Sequence, residues 1–216
     1  MESKLFTSVT FGPLTLRNRT IRSAAFESMC PGNAPSDMLL NYHRSVAAGG
    51  IGMTTVAYAA VTRSGLSFDR QLWMRPEIIP GLRRLTDAVH AEGAAAGIQL
   101  GHCGNMSHKS ICGCTPVGAS GGFNLYSPTF VRGLRADELP ELARAYGRSV
   151  NLAREAGFDA VEIHAGHGYL ISQFLSPATN HRKDEFGGSL QNRMRFMDMV
   201  LEEVMKAAGN DMAVLV

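Results

Sequence analysis

The sequence predicts an α/β chain organised as a (β/α)₈ TIM barrel, of which its 216 residues carry about the first five strands. Three observations lead there. Apolar strand-like runs alternate with helix-period segments along the whole chain. The helix-to-strand turns are tight and glycine-bearing, whereas the strand-to-helix connections are long, so all the elaboration falls at the strand carboxyl ends, where barrels hold their chemistry. A doubly wound open sheet shares that pattern, but no GxGxxG follows the first strand, which removes the main signal for a dinucleotide-binding sheet.

The strand runs are Thr20 to Ala25, Ile51 to Val56, Ala94 to Leu100, Ala160 to Ile163 and Met212 to Val216. Helical periodicity covers Asp37 to Ala48, Leu82 to Glu92, Asp137 to Ala156 and Leu190 to Ala208. Each helix runs into a glycine, in AAGG, AEGA, EAGF and AAGN, as a left-handed cap before the next strand requires. The long connections run from Phe26 to Ser36, Ala57 to Pro80, Gly101 to Ala136 and His164 to Ser189. A complete barrel takes about 250 residues, so residues 1–216 are expected to form one barrel domain, either a piece truncated at its carboxyl end or one that pairs with another chain.

Composition limits the partners. Lys+Arg 21 against Asp+Glu 19 leaves no basic face for nucleic acid. No window reaches the ~18 apolar residues of a membrane span, and no leader is evident, so a cytoplasmic location is expected. The four cysteines do not form a secreted disulfide framework in a chain of this size and are read as reduced.

The stretch VEIHAGHGYLISQFLSP, from Val161, leaves an apolar strand and presents His164, His167 and Tyr169 at the barrel mouth. Ala165, Gly166 and Gly168 between them let a flat ligand approach the backbone. Two neutral imidazoles can donate to one oxygen, and a phenol with an ordinary pKa near ~10 can deliver a proton. Together these polarise a carbonyl and protonate its neighbour.

From Gly157 to Phe196, GFDAVEIHAGHGYLISQFLSPATNHRKDEFGGSLQNRMRF resembles the signature of the Old Yellow Enzyme flavoproteins, which are NAD(P)H:flavin oxidoreductases and ene-reductases. LFTSVTFGPLTLRNR, GGIGMTTVAYAAV and IQLGHCG fall in that family's order. The resemblance implies FMN over the strand ends, reduced by NADH or NADPH, and a small-molecule enone as substrate. It makes His164 and His167 the carbonyl ligands and Tyr169 the proton donor. Ser23, Ala24, Ala25, Ala57, Tyr58 and Gln99 become the flavin contacts, with Phe26 and His102 as further substrate contacts. Tyr58 and Phe26 depart from the family's usual residues at their positions. Asp184, Arg182, Asn192 and Arg193 are read as bracing the long fourth loop.

His102, Cys103, His108, Cys112 and Cys114 crowd one loop, but no CxxC pair is present and the spacing fits no zinc or iron–sulfur pattern, so no metal is assigned. Two other functions remain open: oxidative demethylation of an amine on the same fold, and a flavin-free, non-catalytic barrel fragment. The sequence leaves room for a homo-oligomer.

Overall fold

The computed structural model of the protein describes residues 3–216. An antiparallel hairpin, β1 (Val9–Phe11) and β2 (Leu14–Leu16), precedes β3 (Ile21–Arg22), α1 (Asp37–Ala48), β4 (Met53–Ala60), α2 (Ile79–Ala91) and β5 (Ala95–Gly101). Then come α3 (Lys109–Cys112), β6 (Val117–Gly118), β7 (Gly122–Asn124), β8 (Thr129–Gly133) and α4 (Leu139–Glu155). The chain ends with β9 (Ala160–Ile163), α5 (Leu170–Leu175), α6 (Leu190–Ala208) and β10 (Ala213–Leu215).

Strands β3, β4, β5, β9 and β10 are bonded in that spatial order, every pair parallel. Each βα unit therefore adds its strand on the same side as the last. A doubly wound sheet reverses at a switch point; these strands do not, and they form an arc of a barrel.

Strand residues alternate between two environments. Val56, Ile98, Leu100, Val161 and Ile163 share one apolar cluster with Leu82, Leu85, Val89, Tyr146, Val150 and Val204 of the helices. On the inner face, Met53, Ala160 and Ala213 pack with Ala95, Leu16 and Phe11. These strand residues are at or next to the strand starts, so the β1–β2 hairpin closes the amino-terminal end of the arc. The sequence reading missed this hairpin, although Gly12-Pro13 between VTF and LTL is a turn signal.

Predicted helix bounds hold for α1 and α6, where Ser36 and Ser189 accept the amide hydrogens of Leu39 and Asn192. Helix α2 starts three residues before the predicted Leu82, because Pro80 suits a first turn. Asp137 lies in a 3₁₀ turn, Ala136–Glu138, that leads into α4. The third long connection is not bare loop: it holds α3 and a small sheet of order β6-β8-β7. The fourth contains α5 and is braced as expected, with Arg182 donating to the carbonyls of Ala119 and Leu134, and Arg193 to that of Leu175.

Arg17 ties the arc together at its lower end. Its guanidinium donates to Ala47 O at 2.7 Å, Ile51 O at 2.9 Å and Glu92 O at 2.7 Å, engaging the carboxyl ends of α1 and α2 and the lead into β4. The side chain is exposed, so water screens part of the gain. Arg17→Met is expected to lower stability by about 1–3 kcal/mol, seen as a lower urea midpoint at unchanged slope.

Candidate active site

A cavity of about 250 Å³ opens at the strand carboxyl ends, lined by Ala24, Ala25, Phe26, Ala57, Tyr58, Phe68, Gln99, His164, His167 and Tyr169. Nine of the predicted positions, distant in sequence, meet here, and the parallel register brings them together. Inner-face parity runs Ala95, Gly97, Gln99, Gly101 on β5 and Ala160, Glu162 on β9, continuing to His164 just past the strand.

His164 is the centre of the cluster. Its ring lies 4.7 Å from Tyr169, 5.6 Å from Tyr58 and 5.0 Å from His167, centroid to centroid. Its Nδ1 accepts the Gly166 amide hydrogen at 3.3 Å, which leaves the proton on Nε2. That Nε2 is 3.2 Å from His167 Nδ1. Burial, reinforced by the neighbouring His167, lowers the His164 pKa to about 4, so it is neutral at physiological pH.

His167 stands in the left-handed region at φ 54, between two glycines, and this turn folds its ring back over His164. The buried Gln173 anchors the turn: its amide donates to Gly168 O at 2.7 Å and to Cys103 O at 3.1 Å, tying the loop after β9 to the loop after β5. Burial raises the Tyr169 phenol above its ordinary range and so keeps it protonated, with the Ser67 hydroxyl pulling the other way.

A β-bulge aims the opposite wall. Val56 pairs with Ile98 and Ala59 with Leu100, so Ala57 and Tyr58 together oppose Gln99 and both face the cavity. Tyr58 OH donates to Gly65 O at 2.7 Å. Its ring leaves no room above Gly101, where a Cβ would lie 2.9 Å from Tyr58 Cδ2 and 3.1 Å from His164 Cβ. The Ala57 amide donates to Glu27 Oε2 at 3.1 Å, and Glu27 is itself held by Arg22 at 2.7 Å and lies 3.1 Å from His43 Nε2. Gln99 donates to Glu162 on β9.

Two predicted residues are not brought to this cavity. Ser23 is exposed beyond β3 and does not line it. His102 follows the inward Gly101, so it faces away: its Nε2 meets Ser64 Oγ at 3.1 Å and its Nδ1 accepts the Gly104 amide at 3.0 Å. Burial lowers its pKa to about 4. Elsewhere in that loop His108 meets Ser127 at 3.0 Å and Cys103 meets Leu66 O at 3.4 Å. Among the described residues, no three His, Cys, Asp or Glu side chains converge as metal ligands. The sequence reading missed Phe68, which packs 4.5 Å from Phe26, as well as Glu27 and Gln173.

The strand ends of this barrel arc thus carry a small-residue wall, one carboxamide and a histidine–tyrosine cluster. The model of the NADH:flavin oxidoreductase / NADH oxidase family matches residues 4–216, and the chain belongs to that family. It is 43% identical over 210 residues to 4,4'-dithiodibutanoate disulfide reductase of Rhodococcus erythropolis, covering 97% of this chain and 52% of that protein. It is 37% identical over 209 residues to NADPH dehydrogenase of Bacillus subtilis, covering 94% and 60%. The old yellow enzyme homologue from Zymomonas mobilis superposes with a TM-score of 0.90 at 30% identity, covering 98% of this chain and 62% of that one. The chain thus spans between half and two thirds of these relatives' lengths.

FMN, with NADH or NADPH as reductant, is the cofactor that accompanies this family. The residues present fit such a ring: Ala24, Ala25 and Ala57 make a flat, methyl-lined wall, and the Gln99 carboxamide supplies a polar group at its edge. Gly101→Ala should test this packing. The added methyl must push Tyr58 or His164 aside, and the affinity for added FMN, read by fluorescence titration, is expected to fall about tenfold with a native far-UV circular dichroism spectrum.

Proposed function

We propose that the protein reduces the C=C bond of an α,β-unsaturated carbonyl compound, using FMN and NAD(P)H. The supporting observation is the convergence of His164, His167 and Tyr169 on one cavity. Held against Ala24, Ala25, Ala57 and Gln99, reduced FMN would supply the hydride for the β-carbon. The protein's own residues do the rest. The substrate oxygen replaces the direct contact between His164 Nε2 and His167 Nδ1, accepting a hydrogen bond from each; the exposed His167 changes tautomer at little cost. Negative charge growing on that oxygen meets the neutral His164 donor, held in place beforehand by the Gly166 amide, the kind of arrangement that lowers such barriers most. Tyr169 then gives its proton to the α-carbon, and the elevated phenol pKa keeps that proton available at neutral pH. Tyr58 supports both groups, its ring centroid 5.1 Å from that of Tyr169.

The test is Tyr169→Phe in the holoenzyme with 2-cyclohexenone as oxidant. Flavin reduction by NAD(P)H is expected to continue at its normal rate, whereas reoxidation by the enone slows about 100-fold. An unchanged reoxidation rate removes Tyr169 as the proton donor.

A further inference from the structure

Outside this cavity, Cys112 and Cys114 are the thiols that meet. Cys112 closes α3, Gly113 turns the chain back at φ 77 and ψ 1, and the two Sγ atoms come to 3.9 Å. The pair divides by access: Cys112 is 2% exposed, while Cys114 is half-buried and lines a cavity of about 720 Å³ together with Arg132, Arg135 and Arg148. Arg63 lies against the turn itself, so near that a Cβ on Gly113 would be 3.2 Å from its Nε. A glycine adopts that φ without strain and leaves the Arg63 guanidinium its place.

We propose that Cys112 and Cys114 form a reversible dithiol–disulfide pair, oxidised by a low-molecular-weight disulfide. The Cys114 thiolate attacks one sulfur of the disulfide, forming a mixed disulfide and releasing the first thiol. Cys112 loses its proton and attacks the Cys114 sulfur, closing the intramolecular bond and releasing the second thiol. Two protein thiols are oxidised and one disulfide is reduced to two thiols. The division of access sets the order: the accessible sulfur attacks, and the covered one resolves. The guanidiniums of Arg132, Arg135 and Arg148 are paired with Glu138, Asp137 and Glu141 of the same lining, so the cavity sets no preference for the charge of the oxidant. Burial and the adjacent Cys112 push the Cys114 thiol upward, with Arg132 and Arg63 pulling the other way, so exchange quickens as pH rises.

Lys109 and Arg132 bracket the pair, so trypsin releases residues 110–132 with these as its two cysteines. The holoprotein is incubated with glutathione disulfide at about pH 8.5, near the ordinary thiol pKa, quenched with N-ethylmaleimide and digested. The expected peptide is unalkylated and two hydrogens lighter than the reduced form, reverts with dithiothreitol, and accumulates faster at higher pH. In Cys112→Ser the glutathione adduct on Cys114 is expected to persist, because nothing resolves it. A wild-type peptide alkylated at both cysteines, or one retaining glutathione as the variant does, overturns the proposal. The wild-type mass decides without the variant.

Discussion

The backbone amide of Gly166 donates to Nδ1 of His164, and the chemistry proposed for the site follows from that contact. It places the ring proton on Nε2, the nitrogen that faces His167. Burial then keeps the ring neutral, because an imidazolium there would lose its hydration with no carboxylate to offset the loss. A neutral His164 can share one oxygen with His167 as a second donor.

The fold supplies this contact through sheet parity and two local irregularities. Parity brings Gln99, Gly101 and His164 to the inner rim. The bulge at Ala57 and Tyr58 turns two consecutive residues inward, and the missing side chain at Gly101 makes space for the Tyr58 ring. The left-handed His167 costs backbone energy that Gln173 offsets from below by holding Gly168. Beneath the opposite wall, the Glu27 carboxylate occupies the Ala57 amide, and Arg22 and His43 stand beside that carboxylate.

Much of this was legible in the sequence, for identifiable reasons. Serine caps and terminal glycines mark helices α1 and α6 to the residue, since capping is a local interaction. His164, His167 and Tyr169 were found because a strand end followed by small residues exposes whatever comes next. His102 was misplaced by an error of parity: it stands one residue past the inward Gly101, whereas His164 stands two past the inward Glu162. Gln173, Glu27 and Phe68 were invisible, because their partners are 70 residues away for Gln173 and 30 for Glu27, and no local pattern encodes such a bond. The small sheet β6-β8-β7 was hidden by the brevity of its strands.

The most direct test is nitrogen-15 NMR of the imidazoles in the holoprotein, titrated across the acid range. The account predicts that His164 is neutral with its proton on Nε2 at pH 7 and stays so until the pH approaches about 4, because the folded environment lowers its pKa. A His164 that is protonated at pH 6, or that carries its neutral-form proton on Nδ1, would contradict it.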